Sequence, residues 1–164
     1  MAIPTLFEDP TVVNDDVARA TAGENFVYFH PSYGRWVVRY GQFKDAVTYA
    51  AGQVCTIANV SGSAFTNDIS GGSSVGAIVA GVALGVMTQN YYGFVLVEGY
   101  YPTIKTSGAD DIAIGENLFV HGSTDGTCDG GAANAWTTAN FGVAVAADVD
   151  ADNTVGGLIK TVLS

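Results

Sequence analysis

The most reactive arrangement that this sequence offers is a serine in a glycine-rich turn. Residues 72–76 read GSSVG and fit the G-x-S-x-G pattern, with Ser74 as the nucleophile, and Asp110 and His121 follow in the chain order of such hydrolases. That chemistry needs the serine on a sharp turn between a strand and a helix. The residues after 76 are instead β-branched and interrupted by glycine. We therefore interpret 72–76 as a glycine/serine loop.

Three alternating aspartates form the second candidate site. Asp148, Asp150 and Asp152 match the first three ligand positions of a calcium loop, in which alternate oxygens converge on the ion. The sixth position is Asn153 instead of glycine, and the twelfth is Ile159 instead of the bidentate glutamate. We interpret the segment as a polar turn whose aspartates face water, with weak cation binding as the alternative.

The histidines and cysteines show no spacing that indicates a shared site. His30 and His121 are 91 residues apart, and we expect both to be edge or turn residues. Cys55 and Cys128 belong to no CxxC or Cys/His pattern, so free, packed thiols are expected, with a disulfide as the alternative. No lysine follows a glycine, which excludes a phosphate-binding loop of the P-loop type. The sequence thus predicts no enzyme, no cofactor and no metal.

The chain is acidic, with 16 acidic and 6 basic residues and a net charge of −10. Such a surface repels phosphates, so we expect no binding to nucleic acid. The longest apolar run, residues 75–87, is 13 residues long, short of the roughly 20 that a membrane helix requires, so no membrane partner is expected. Residues 1–10 lack the basic and apolar regions of a secretory signal, which predicts synthesis in the cytoplasm without export.

The elements that must position these residues are predicted to be strands. β-branched and aromatic residues dominate runs separated by short clusters of Gly, Asn, Asp and Ser, a pattern typical of an antiparallel barrel or sandwich. The predicted strands are 26–29, 35–40, 53–60, 75–86, 91–99, 101–106, 117–121, 135–138, 141–147 and 154–163. Residues 61–76 and 122–135 are predicted to be mobile loops. The expected fold is a compact, all-β, antiparallel β-barrel or sandwich.

The second half of the chain reads as a loose copy of the first. Three pairs of anchor residues lie at nearly constant separation: Gly52 and Gly115 (63 residues), Gly81 and Gly142 (61), and Val95 and Ile159 (64). Related units commonly bury each other's apolar faces. We therefore expect one β domain at 26–164, built from repeated units at 41–99 and 100–164.

Residues 1–25 show no sustained strand or helix period and carry five of the sixteen acids. We interpret them as an extended N-terminal arm that ties onto a neighbouring molecule and can be removed without unfolding the β domain. Phe7 and Pro10 are the arm residues expected at that interface. Simple disorder of the arm is the alternative.

In the predicted strand at 35–40, RWVVRY, the alternation of side chains separates an apolar face from a face that carries two positive charges. Alternate side chains of a strand point to opposite faces, so Trp36, Val38 and Tyr40 should enter the core. The opposite face carries Arg35, Val37 and Arg39, and we expect it to contact a partner, because arginine is enriched where interfaces pair carboxylates. The alternative is a solvated edge strand whose charges deter aggregation.

Four segments together resemble the capsid decoration (cement) proteins of tailed bacteriophages. They are RWVVRYGQFKDAVTYAAGQV, AGVALGVMTQNYYGFVLVEG, DDIAIGENLFV and FGVAVAADVDADNTVGGLIKTVL. The similarity runs from about residue 35 to the C-terminus and lies in the spacing of glycine and apolar residues.

The resemblance implies a structural virion protein on the outer capsid surface, synthesised in the host cytoplasm. Its partners would be the major capsid protein, whose adjacent subunits it locks together, and further copies of itself, frequently in a trimer. The alternative is a carbohydrate- or receptor-binding β module, such as a head-fibre or adhesion domain, which would use Tyr91, Tyr92, Tyr100 and Tyr101 as a stacking platform.

Overall fold

In the computed structural model every regular element among the described residues is a β-strand, so the predicted all-β fold is confirmed. The structure describes residues 9–44, 48–59, 61–67, 78–108, 111–121, 124–131, 140–148 and 153–161. The strands are β1 (Asn25–His30), β2 (Gly34–Phe43), β3 (Val54–Ile57), β4 (Ala64–Thr66), β5 (Val79–Ala83), β6 (Tyr92–Lys105), β7 (Asn117–Val120), β8 (Cys128–Gly131), β9 (Asn140–Ala144) and β10 (Thr154–Lys160). Among these residues no helix is long and apolar enough to cross a membrane.

The ten strands form one sheet in the order β1-β2-β4-β3-β5-β6-β10-β9-β7-β8. β2 pairs in parallel with β4, and every other pairing between named strands is antiparallel. Because β2 also pairs with β6, the strands β2, β4, β3, β5 and β6 close on themselves. We call this closed set the first ring.

A second ring repeats this arrangement with the C-terminal half of β6 as its first strand. That half pairs with β10, and the path continues through β9 and β7 to β8. β8 returns to the residue after β6 through a single parallel bridge between Thr106 and Cys128. The 14-residue strand β6 therefore belongs to both rings.

Strand register shows that the two rings are copies. In the first ring Cys55 pairs with Gly81, and in the second ring Leu118 pairs with Gly142. Each pairing is followed by a register shift at the same place. The sequence anchor Gly81–Gly142 thus occupies equivalent positions in the two rings.

The turns before β3 and β7 are also equivalent. Gly52 and Gly115 both have positive φ, +87° and +91°, a region that favours glycine because it has no Cβ. Their N–H groups donate 2.8 Å hydrogen bonds to the carbonyls of Ala83 and Ala144. A Cβ on Gly52 would also clash with the carbonyl of Thr103. This anchor is therefore fixed by backbone geometry.

The third anchor pair, Val95 and Ile159, is two residues out of register in the structure. Ala83 pairs with Val95 in the first ring, and Ala144 pairs with Gly157 in the second. The equivalent of Val95 is therefore Gly157, not Ile159. The second copy has 15 residues from Gly142 to Gly157 where the first has 14 from Gly81 to Val95, and β10 has a register shift between Val155 and Gly157 that apolar spacing alone could not reveal.

Other predicted elements need correction. The predicted strands 91–99 and 101–106 are one strand, β6. The predicted loops 61–76 and 122–135 contain β4 and β8, whose residues pair with β3 and β7. β8 reads CDGG, which lacks the β-branched signal of a strand. The predicted strand 135–138 lies outside the described residues.

Two apolar clusters stabilise the rings. The interior of the first ring holds ten buried residues: Val37, Phe43, Tyr49, Cys55, Phe65, Ala80, Ala83, Met87, Val95 and Val97. The larger cluster joins the outer wall of the first ring to the interior of the second and includes Leu96, Ile104, Leu118, Phe141 and Ile159. Trp36, Val38 and Tyr40 belong to it, as the strand pattern predicted.

The described part of the predicted arm, residues 9–24, binds its own chain. Asp15 and Tyr92 exchange two backbone hydrogen bonds of 3.0 and 2.7 Å. Val13 is buried against the larger cluster, and Pro10 is buried too. The prediction that this segment ties onto a neighbour through Pro10 needs correction, because Pro10 is buried within its own chain. Phe7 lies outside the described residues.

Candidate partner-binding surface

The β1–β2 hairpin presents apolar residues at the edge of the sheet. Among the described strands β1 pairs with β2 alone, which makes it an edge strand of the sheet. Its side chains alternate between half-buried and exposed, with Phe26 and Tyr28 turned towards the core. Val27 and Phe29 point outward, and Phe29 is 66% exposed. An edge strand with exposed apolar side chains is a surface that another protein can contact.

The loop of this hairpin is held by His30. Its Nδ1 accepts hydrogen bonds from the backbone N–H groups of Ser32 (3.1 Å) and Tyr33 (3.2 Å). The imidazole stacks on Tyr33 at 4.5 Å between ring centroids and lies 4.4 Å from the Trp36 ring. Trp36 Nε1–H donates to the carbonyl of Tyr100 at 2.9 Å. The exposed Tyr33 ring is therefore ordered before any partner binds.

Arg35 lies beside Phe29 on this surface. The two residues are cross-strand partners, and the Arg35 guanidinium forms an ion pair with Glu98 of β6. Half of the Arg35 side chain remains exposed at 49%, so this pair is worth under about 1 kcal/mol to the fold. Arg35 can therefore exchange Glu98 for a carboxylate of a partner at little cost.

Arg39 has a different environment, which the strand pattern did not reveal. Its Nε donates to the carbonyl of Gly62 at 2.9 Å, and its Nη1 donates to Asn25 Oδ1 at 3.1 Å. Burial lowers the pKa of the Arg39 guanidinium. Arg39 thus holds Gly62 against β2 and β1, and its hydrogen bonds are used within the fold.

Val37 is buried in the first ring, so the predicted exposed row of Arg35, Val37 and Arg39 does not exist. The surface that remains, which we call the hairpin surface, consists of Val27, Phe29, Tyr33, Arg35 and Glu98. Aromatic residues and arginine are enriched in protein interfaces and their hot spots. The alternation in residues 26–29 was the sequence signal for Val27 and Phe29.

The four tyrosines of the alternative hypothesis do not form one platform. Tyr101 is buried, and Tyr92 stacks on Tyr40 at 5.9 Å. Tyr92 and Tyr100 are eight residues apart along β6, which is about 26 Å in an extended strand. Tyr100 contacts the hairpin through the Tyr33 ring at 5.5 Å.

The cysteines are free and buried, as predicted. Burial, followed by the nearby carboxylates of Asp129 and Asp148, raises the pKa of the Cys128 thiol. A thiol in this state is protonated at neutral pH and is a poor nucleophile and metal ligand. Cys128 therefore offers packing, not chemistry.

The other chemical candidates have structural roles or lie outside the described residues. His121 Nδ1 accepts from the N–H of Thr124 at 3.0 Å, so this histidine caps a turn, as His30 does. Asp148 is buried with its backbone paired to Ile112 and does not face water as predicted. Asp150 and Asp152 fall outside the described part of the chain, as do residues 72–76 and Asp110. The described residues contain no group of three or more potential metal ligands.

No model of a known protein family matches the chain, and a comparison with curated proteins gives no match either.

Proposed function

We propose that this protein is a capsid decoration protein that attaches to the outer surface of a tailed-phage capsid through the hairpin surface. The observation that carries the proposal is the exposed group Phe29, Tyr33 and Arg35 on the β1–β2 hairpin, whose loop is already ordered by the His30 contacts. The resemblance in sequence names the partner, the major capsid protein. The protein would bridge adjacent capsid subunits and would therefore be located on the virion.

The physical effect of such binding is stabilisation by mass action. A protein that binds the assembled shell, and not its free subunits, lowers the free energy of the shell. Because the shell repeats the same site many times, modest contacts add up. Preordering of the Tyr33 loop reduces the entropy lost on binding.

The experiment compares capsids with and without the protein. Capsids lacking it should assemble but release DNA at lower temperature, and purified virions should contain the chain in many copies by mass spectrometry. Equal DNA release in both preparations would contradict the proposal.

The hairpin surface is tested by Phe29→Ala and Arg35→Ala. Each should weaken capsid binding at least tenfold, or about 1.4 kcal/mol, and Arg35→Ala should also reduce the salt dependence. Ile114→Ala is the matched control, since Ile114 is 69% exposed elsewhere on the surface. Arg39→Ala should instead lower the melting temperature. Unchanged binding by both hairpin variants would place the capsid contact elsewhere.

The exposed rings of Phe29 and Tyr33 also suit stacking against a sugar, which keeps carbohydrate or receptor binding as the second candidate. A glycan array separates the two functions. A specific glycan whose binding is lost in Phe29→Ala would favour the second candidate.

A further inference from the structure

Equivalent apolar residues on the outer walls of the two rings are buried in the first ring and exposed in the second. The N–H of Leu84 donates to the Phe94 carbonyl at 3.2 Å, and the N–H of Val145 donates to the Gly156 carbonyl at 2.8 Å, so Leu84 and Val145 are equivalent. Leu84 is 2% exposed, whereas Val145 is 40% exposed.

A second equivalent pair shows the same contrast. Val82 pairs with Leu96 in the first ring, and Val143 pairs with Leu158 in the second. Leu96 has no exposed surface, but Leu158 is 53% exposed. The second ring has thus kept an apolar wall at positions that the first ring buries.

The first ring shows what covers such a wall. Val13 of the extended segment packs into the same cluster as Leu84 and Leu96. Phe26 meets Phe94 edge-on at 5.9 Å. None of the described residues covers Leu158 and Val145 on the outer wall of the second ring, and both remain exposed.

The uncovered wall also carries a positive charge. Lys160 lies two residues after Leu158 on the same face of β10 and is exposed. Its cross-strand neighbour Glu98 is engaged by Arg35. We call Val143, Val145, Leu158 and Lys160 the second-ring wall. A partner that fits this wall would be an extended segment with apolar side chains and a carboxylate that pairs with Lys160.

The outer face of the N-terminal segment has that chemistry. Val13 points inward, and its neighbours Val12 and Val17 are among the exposed large apolar residues. Asp16, between them, is exposed as well. This face, residues 12–17, cannot be buried further by its own ring, which already holds it through Asp15 and Tyr92.

We propose that a second copy of this chain docks on the second-ring wall through the outer face of its residues 12–17. Leu158 and Val145 would contact Val12 and Val17, and Lys160 would pair with Asp16. The contact joins two different surfaces, so copies associate head to tail and close into a ring if the rotation permits.

The first test needs purified protein and no capsid, so its outcome is separate from that of the proposed function. Sedimentation should show concentration-dependent association of the wild type. Leu158→Asp and Val17→Asp should each weaken it at least tenfold, while Ile114→Asp, at an equally exposed apolar residue, should not. A circular dichroism melt confirms that each variant is folded. A monomeric wild type, or association that survives Leu158→Asp, overturns the proposal.

The second test fixes which surfaces meet. Lys160→Glu should weaken association, and adding Asp16→Lys in the same chain should restore it, because the swapped charges face each other across the contact. A mixture of Val17→Cys and Leu158→Cys proteins should form a covalent mixed dimer under mild oxidation, since the native thiols are buried. Failure of the charge swap to restore association, or cross-linking within each single variant alone, refutes the head-to-tail geometry.

Discussion

Arg35 and Arg39 stand four residues apart on one face of β2, yet one is a surface residue and the other holds the fold together. Strand alternation correctly placed Trp36, Val38 and Tyr40 in the core. It could not foresee that β2 curls into a ring beyond residue 36, which turns Val37 inward. The hydrogen bonds of Arg39 to Gly62 and Asn25 depend on a turn and a strand that are distant in sequence.

A residue-scale difference between the two rings concerns Asp148. Met87 pairs with Tyr49 in the first ring as Asp148 pairs with Ile112 in the second. Asp148 is 2% exposed, and its Oδ1 has no hydrogen-bond partner among the residues that the structure describes. An unsatisfied buried carboxylate oxygen costs stability.

Replacing this carboxylate with the side chain of the first ring should stabilise the protein. Asp148→Met is expected to raise the free energy of unfolding by about 1–3 kcal/mol, since it removes an unpaired polar atom from the interior. Asp148→Asn should have a smaller effect. Urea unfolding measures both, with the exposed Glu24→Gln as a control for net charge. A less stable Asp148→Met protein would mean that the carboxylate is satisfied in solution.

At the scale of elements, the N-terminal segment is a cover for the first ring. Its sequence lacks a strand period because it touches the body at isolated points, such as Val13 and the Asp15–Tyr92 bridge. A segment that contacts the core at isolated positions has no periodic spacing of apolar residues in its sequence. Removing residues 1–25 would therefore uncover Leu84, Phe94 and Leu96 and cost stability, contrary to the expectation for a free arm.

Two adjacent valines provide the test of this cover. Val13→Asp should lower the free energy of unfolding by roughly 3 kcal/mol, because the charge would enter the cluster around Leu84 and Phe94. Val12→Asp should change it by under about 0.5 kcal/mol, since Val12 faces outward. Thermal unfolding at low protein concentration gives both values. Equal effects of the two substitutions would show that the segment is not bound in solution.

At the scale of the whole molecule, the all-β class and the duplication were readable from the sequence. Both copies have glycine at this position, Gly52 and Gly115, because only glycine readily accepts the positive φ found there. The sharing of β6 between two rings was not readable, because the residues between 91 and 106 look like two strands joined at Gly99. The hairpin loop and the second-ring wall depend on which strands neighbour each other, which no local pattern encodes.

Because β6 belongs to both rings, we expect them to unfold together. Phe65→Ala, inside the first ring, and Leu118→Ala, inside the second, should each lower the stability by about 2–5 kcal/mol. Both should shift one common transition. Far-ultraviolet circular dichroism and tryptophan fluorescence during urea unfolding should therefore coincide in each variant. A separate early transition in Leu118→Ala alone would show that the second ring melts independently.

The length of β6 also determines how many rings can be joined through shared strands. Every junction in such an array needs one strand long enough to close one ring and open the next, and β6 meets this requirement with 14 residues. β10 has 7, and the next residue, Thr161, continues the β10–β6 ladder by donating its N–H to the carbonyl of Val97 at 2.9 Å. β10 is therefore too short to close one ring and open another. Doubling the length of β10 would be the first step in designing a third ring.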